Sequence, residues 1–184
     1  MENKNIEKWA NSFSGCDGGD INSNVWLCGI EWGYATEKNV EQSDREKYYE
    51  EELPIWIEKG EEKINTNYDF FEDTKENGIE YPFNLKFKKI LKELDFPKKL
   101  LKLNIAPIPF NADNDKLWTQ SIANITGFRT KREYMNYIVS LHRFSQIRKE
   151  HKPKLIVCIG NSRKNEFLDT FFKENNLKFT EETI

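Results

Sequence analysis

Three short apolar runs constrain the fold of this chain more than any other feature. They are VWLCGI at residues 25–30, LKLNI at 101–105 and LIVCI at 155–159. The first and third are continuously apolar, which is typical of strands buried on both faces. Helical patterns separate the runs, and this alternation favours a parallel sheet covered by helices. We predict an α/β fold of three layers (α/β/α) with a central, mostly parallel sheet of about four strands, the last at 177–180.

Helical patterns fill most of the remaining sequence. The strongest covers residues 131–150, where Tyr134, Ile138, Leu141 and Phe144 form one apolar stripe and Arg143 lies off it. The weaker helix predictions are residues 5–14, 39–59 with an interruption near Pro54, 82–94, a short helix within 113–128, and 165–175. We predict a single domain over residues 1–184, with an acidic helical insertion at about 37–80.

Composition limits the classes of protein to which the chain can belong. Aromatic residues make up 14% of the 184, enough to build a real core despite a charged fraction of 32%. No apolar run approaches the ~20 residues that cross a bilayer, and the N-terminus lacks a secretory signal. We therefore expect no membrane partner. Three cysteines without a CxxC pair suit a reducing cytoplasm, and Cys28 and Cys158 are predicted to be buried.

Charge is distributed unevenly along the chain. Residues 1–80 carry 20 acids and 8 bases, and residues 81–184 carry 11 acids and 20 bases. The balances of −12 and +9 leave two interpretations of the basic half: a surface that holds a phosphate backbone, or solvated lysine-rich helices. The acidic residues at 37–80 are the predicted interface if the partner is a protein.

Ligands of parallel α/β sheets bind beyond the carboxyl ends of the strands. In the loop after the first strand, Glu31 can orient water or stabilise positive charge, and Trp32 and Tyr34 can stack on a base. In the second, the Asn104 amide can read a base edge and Phe110 can stack. The alternative for the first loop is aromatic packing. For the second loop the alternatives are pinning of a neighbouring backbone by Asn104 and filling of the core by Phe110.

The third loop opens a helix. Its free backbone N–H groups can bind phosphate, or the helix can simply be capped by a side chain. The residues concerned are Asn161, Ser162, Arg163 and Lys164. A fourth loop, between Asp17 and Asp20, is either a tight glycine turn or a weak cation site. With only two histidines and no ligand pairs at metal spacing, we predict neither a metal nor a cofactor.

At three of these loops the sequence resembles the uracil-DNA glycosylase superfamily. VWLCGIEWG resembles the first motif of that family, a strand ending in Gly-x-Asn/Asp/Glu-Pro-Gly, with Trp32 in place of the proline. LNIAPIPFN resembles its second conserved strand, and PKLIVCIGNSRKNEF resembles a later one. The resemblance implies that Glu31 is the catalytic residue and that Asn104 reads the base. It also implies that Tyr34 or Phe110 stacks on that base and that the partner is DNA.

One departure from the family bears on activity. The His-Pro-Ser loop that enters DNA and supplies a histidine to the leaving base does not occur in this sequence. An iron–sulfur variant would need four cysteines. Three hypotheses follow: a hydrolase acting on a damaged or unusual base, a catalytically silent binder of nucleic acid or nucleotide, and a protein-interaction module on the same α/β scaffold.

Overall fold

The computed structural model describes residues 3–31, 48–72, 87–89, 91, 99–108, 118–160 and 163–172. In chain order the elements are α1 (Asn3–Ala10), β1 (Gly18–Gly19), β2 (Val25–Glu31), a π-helix (Tyr48–Glu52), α2 (Leu53–Lys59), β3 (Leu101–Ala106), α3 (Gln120–Thr126), α4 (Lys131–Ser140), α5 (Ser145–His151), β4 (Leu155–Cys158) and α6 (Lys164–Phe171).

The described strands form one mixed sheet in the order β1-β3-β2-β4. β3 and β4 both run parallel to β2, which confirms the predicted α/β class and the mostly parallel sheet. The fourth strand is different from the one predicted. It is the glycine pair of β1, which lies antiparallel to β3 at the edge of the sheet. The strand predicted at 177–180 falls outside the described residues.

Apolar side chains cover both faces of β2. Trp26 and Cys28 belong to a large cluster built with the helices α1, α4 and α6. Leu27 belongs to a smaller cluster with Phe70 on the opposite face, because successive strand residues point to opposite sides of a sheet. This two-sided burial accounts for the unbroken apolar sequence of β2.

The helix predicted over residues 131–150 is instead two helices, α4 and α5. The chain breaks between them at 141–144, where His142 adopts a left-handed φ of 50° and its Nδ1 contacts the backbone oxygen of Asp169. Phe144 N then donates to Thr170 O of α6, at 3.2 Å. Contacts with α6 therefore replace about one turn of regular helix, and the break redirects the side chains that follow.

β4 is less buried than its sequence predicts. Cys28 is fully buried, as expected, but Cys158 is exposed and Leu155 is 39% exposed. The reason is position: among the described strands β4 pairs only with β2 and forms an edge of the sheet. The prediction that Cys158 is buried was wrong.

The interruption predicted near Pro54 is a change of helix type, because the π-helix passes directly into α2. The π-helix ends at Glu52, and α2 begins with the proline in its first turn. A proline is tolerated there because its missing N–H has no helical partner in any case. None of the described helices has the length and apolar character needed to cross a membrane.

Two glycines provide a test of how tightly the N-terminal loop is held. Gly15 and Gly60 have nearly the same positive φ, 67° and 70°. A Cβ on Gly15 would lie 2.5 Å from the Pro107 carbonyl oxygen. One on Gly60 would lie 3.2 Å from the flexible Lys8 side chain and 3.9 Å from the backbone oxygen of Glu58. We expect Gly60→Ala to lower the free energy of unfolding by about 1–2 kcal/mol. Gly15→Ala should cost about 1–3 kcal/mol more because of the added overlap.

Urea denaturation of both variants measures this difference. Equal losses at the two positions would mean that the loop yields freely around Pro107.

Candidate functional site at the carboxyl ends of β2 and β3

The register of β2 against β3 brings the first two predicted loops together. Gly29 pairs with Asn104, and the backbone of Glu31 pairs with Ala106 at the end of both strands. Gly29 has no side chain, so β2 presents only backbone at the position beside Asn104. The carboxyl ends of the two strands therefore lie side by side at the same end of the sheet. Glu31 ends β2 two residues beyond the level of Asn104.

Asn104 is 2% exposed, and its side chain faces the N-terminal loop. Its Nδ2 donates to Gly15 O at 2.8 Å and to Asp17 Oδ2 at 3.0 Å. Both partners are acceptors, so only the amide nitrogen can occupy this position and the orientation of the amide is fixed. In the described part of the chain no donor reaches Oδ1. Asn104 therefore does pin a neighbouring backbone, at Gly15, and its second amide hydrogen binds the carboxylate of Asp17.

Asp17 is shared between Asn104 and a lysine. Lys102 Nζ lies 3.1 Å from Asp17 Oδ1, in an ion pair whose side chains are mostly buried. The ammonium also lies 5.8 Å from the ring centroid of Tyr68 and 6.0 Å from that of Phe70. Asn104, Asp17 and Lys102 thus form a connected polar group, which we call the Asp17 cluster.

The glycine turn predicted between Asp17 and Asp20 is instead extended, because Gly18 and Gly19 form β1 and pair with β3. The turn follows it, where Ser23 N donates to Asp20 O at 3.0 Å. Asp20 Oδ1 accepts from Asn22 N at 3.0 Å, while Asp17 faces an ammonium and an amide. The two carboxylates therefore have separate partners. Within the described ranges no group of three or more His, Cys, Asp or Glu side chains is placed to hold a metal ion.

Arg143 lies beside Asn104, and the sequence pattern did not predict this position. Its side chain is only 5% exposed. Nη1 donates to Asn104 O at 3.2 Å and to Ile105 O at 2.7 Å. Nη2 donates to the carbonyl oxygens of Ser12 and Ser14, both at 2.8 Å. The helical pattern of 131–150 placed this residue away from the apolar stripe, and only the break at 141–144 turns it inward.

No carboxylate of the described residues pairs with Arg143. Carbonyl dipoles solvate the guanidinium instead, while its Nε remains buried without a hydrogen-bond partner. Burial lowers the pKa of Arg143, because desolvation penalises its charged form. The side chain joins β3 to the turn after α1 and so fixes the position from which Gly15 and Asp17 meet Asn104.

Cys16 lies beside the same carbonyl, with Sγ 3.9 Å from Asn104 O. Burial raises the pKa of the Cys16 thiol to about 11, and the nearby Arg143 charge opposes this shift. The thiol is therefore neutral at physiological pH and is a poor nucleophile.

The remaining predicted site residues are described in part. Arg163 precedes α6 and pairs with Glu166, with Nη1 3.0 Å from Oε1. Lys164 begins that helix, and Arg163 makes no side-chain cap. The guanidinium of Arg163 is thus engaged by a carboxylate of its own helix. Trp32, Tyr34, Phe110, Asn161 and Ser162 lie outside the described residues, and only the backbone of Glu31 is described.

Comparison of the chain with protein-family models, with curated proteins and with solved structures finds no match.

The amide of Asn104 can be tested against an isosteric acid. Asn104→Asp places a carboxylate against two acceptors, so it should lower the free energy of unfolding by about 3–5 kcal/mol at pH 7. Asn104→Ala removes the donors without adding charge and should cost about 1–3 kcal/mol. The excess cost of the acid should shrink at pH 4, where protonation restores a donor. Thermal denaturation at the two pH values measures this, and equal costs at pH 7 would contradict the described contacts.

The Cys16 thiol should make stability fall at alkaline pH. Its pKa is about 11 in the folded protein against 9.0 as the ordinary value. The unfolded chain therefore releases its proton first, and the stabilisation present below pH 9 is lost as the pH rises towards 11. We expect Cys16→Ala to remove a loss of roughly 2–3 kcal/mol between these pH values. Parallel slopes for the two proteins in urea titrations would rule out a buried neutral thiol.

Proposed function

We propose that this chain is a uracil-DNA glycosylase-like protein of the cytoplasm that binds nucleic acid and hydrolyses the glycosidic bond of a damaged or unusual base. The observation that carries the proposal is the register of β2 and β3, in which Gly29 pairs with Asn104 and Glu31 with Ala106. Two segments that resemble motifs of one enzyme family and lie far apart in the sequence thus end side by side.

In this proposal a base leaves the stack and enters the edge between the two strands. Glu31 positions a water molecule or stabilises the oxocarbenium ion that develops on the sugar. Trp32, Tyr34 and Phe110 stack on the base. Asn161, Ser162, Arg163 and Lys164 hold phosphates, and for Arg163 this requires release from Glu166.

Asn104 recognises the base through its free acceptor. Oδ1 can accept from a base edge that presents an N–H, such as the imide of uracil. Its amide hydrogens already serve Gly15 and Asp17, so a base carbonyl can be read only if the loop gives one of them up.

That engagement favours a second candidate, a silent binder of nucleic acid or nucleotide on the same scaffold. Because both amide hydrogens of Asn104 are engaged, its side chain offers a base one acceptor and no donor.

The test uses single- and double-stranded oligonucleotides that differ only in one uracil or thymine. We expect binding at low ionic strength that weakens as salt rises, and release of the base from the uracil strand, detected as alkali-labile abasic sites. Glu31→Gln should slow release at least about 100-fold and leave binding almost unchanged. Glu58→Gln, on the exposed side of α2, is the matched control and should behave as the wild type.

The possible outcomes separate the candidates. Binding without release, in wild type and Glu31→Gln alike, would identify the silent binder. No binding even at low salt would overturn both nucleic-acid functions.

A further inference from the structure

Two cysteines lie opposite each other where β2 pairs with β4. Cys28 and Cys158 are partners in the parallel register, at the last pair of the two strands. Partnered residues of neighbouring strands point to the same face of a sheet, and their backbones lie about 4.8 Å apart. The two thiols are therefore side by side, although their strands lie far apart in the sequence.

The face that the two cysteines share is apolar. Cys28 belongs to the large hydrophobic cluster, together with Trp26 of its own strand and Phe167 of α6. Ile156, two positions before Cys158 in β4, packs against the same cluster. Burial raises the pKa of the Cys28 thiol well above its ordinary value, and the neighbouring Cys158 and Cys16 sulfurs raise it further.

Cys158 connects this pair to solvent. β4 is an edge of the described sheet and Cys158 is exposed, whereas Cys28 is fully buried. Burial nevertheless raises the pKa of the Cys158 thiol to about 12, so its sulfur is shielded although the residue as a whole is exposed. A small ion can thus reach Cys158 from solvent and meet the Cys28 sulfur behind it.

A buried positive charge acts on the same pair. The Arg143 guanidinium lowers the pKa of Cys28, in opposition to the larger effect of burial. The carbonyl oxygens that bind Arg143 contribute dipoles and no net charge. A group with one net negative charge at Cys28 and Cys158 would therefore be attracted to a cation that no described carboxylate pairs with.

The available ligands determine which ions can bind. Two thiols are too few for the tetrahedral shell of Zn²⁺, and hard cations such as Mg²⁺ and Ca²⁺ need oxygen ligands. Among the described residues no group of three or more His, Cys, Asp or Glu side chains completes such a shell. Thiolates are soft ligands that favour Cu(I), an ion that accepts two ligands in line.

We propose that Cys28 and Cys158 form a binding site for one soft monovalent cation of the Cu(I) type, held in line between their two sulfurs. Coordination removes the proton from each thiol, so one ion replaces two protons. Two thiolates and one monovalent cation carry a net charge of minus one, which Arg143 balances. The raised pKa of each thiol keeps the pair neutral until an ion arrives.

The strand spacing favours a bridging ion over a disulfide. Two thiolate–metal bonds in line, each about 2.3 Å as for zinc, put the sulfurs about 4.6 Å apart, close to the spacing of neighbouring strands. A disulfide needs its sulfurs about 2.05 Å apart, so β4 would have to move towards β2.

The ion site does not depend on the proposed nucleic-acid function. Cys28 is also the register partner of Leu103 in β3. Asn104, the next residue of β3, therefore points to the opposite face of the sheet. A bound ion would tie β2 to β4 at their last pair and leave the Asn104 side chain untouched.

Anaerobic titration of the reduced full chain with Cu(I), in competition with a chromogenic Cu(I) chelator, tests the proposal. We expect one ion per chain, a thiolate-to-copper absorption in the ultraviolet, and release of two protons per ion in weakly buffered solution at pH 7. Cys28→Ser and Cys158→Ser each leave a single thiol of the pair. Each should weaken binding by more than the roughly 10–100-fold that loss of an outer-shell partner costs.

Cys16→Ala is the matched control, because it removes the remaining thiol of the chain and should leave the Cu(I) affinity unchanged. Cys158→Ser alters an exposed residue of an edge strand, and circular dichroism checks that it folds as the wild type does. Binding that either serine variant leaves intact would overturn the proposal. So would loss of binding in Cys16→Ala, which would make Cys16 a ligand, or release of fewer than two protons per ion.

Discussion

The buried guanidinium of Arg143 joins parts of the structure that no regular hydrogen-bond ladder connects. β1 consists of two residues, so β3 loses its edge partner at Lys102 and continues for four residues beyond that level. Arg143 supplies donors to the carbonyls of Asn104 and Ile105 and, with its other nitrogen, to the turn after α1. A buried charge is tolerated only when its donors are satisfied, and four carbonyl oxygens satisfy most of those here. The guanidinium thus supplies donors to two carbonyl oxygens of β3 beyond the residues that β1 pairs with.

The hydrogen bonds of Arg143 determine the geometry of the candidate site. Because Arg143 holds the turn after α1 against β3, Gly15 can approach the backbone of Pro107 closely and Asp17 can reach Asn104. Lys102 then neutralises Asp17 on the same strand. A ligand at the carboxyl ends of β2 and β3 would therefore meet polar groups that are already ordered. Among the described residues no donor reaches Asn104 Oδ1, so this oxygen can accept a hydrogen bond from the ligand.

The same topology gives meaning to the uneven charge of the sequence. A balance of −12 in residues 1–80 and +9 in residues 81–184 is only a property of composition. The sheet order β1-β3-β2-β4 puts β1 and β4 at opposite edges of the described sheet. β1 comes from the acidic half of the chain and β4 from the basic half, so the two edges of the described sheet are supplied by segments of opposite charge balance.

The sequence by itself determined β2, β3 and β4, their parallel arrangement, and the burial of Cys28, because continuous apolar runs between helical patterns can be buried in few other ways. The tertiary structure alone decided the edge strand of two glycines, the break at 141–144, and the partners of Asn104 and Arg143. Periodicity reports the average burial of one element. The decisive contacts join Asn104 to Gly15 and Arg143 to Ser14, which lie 89 and 129 positions apart, and no local pattern encodes a hydrogen bond over such distances.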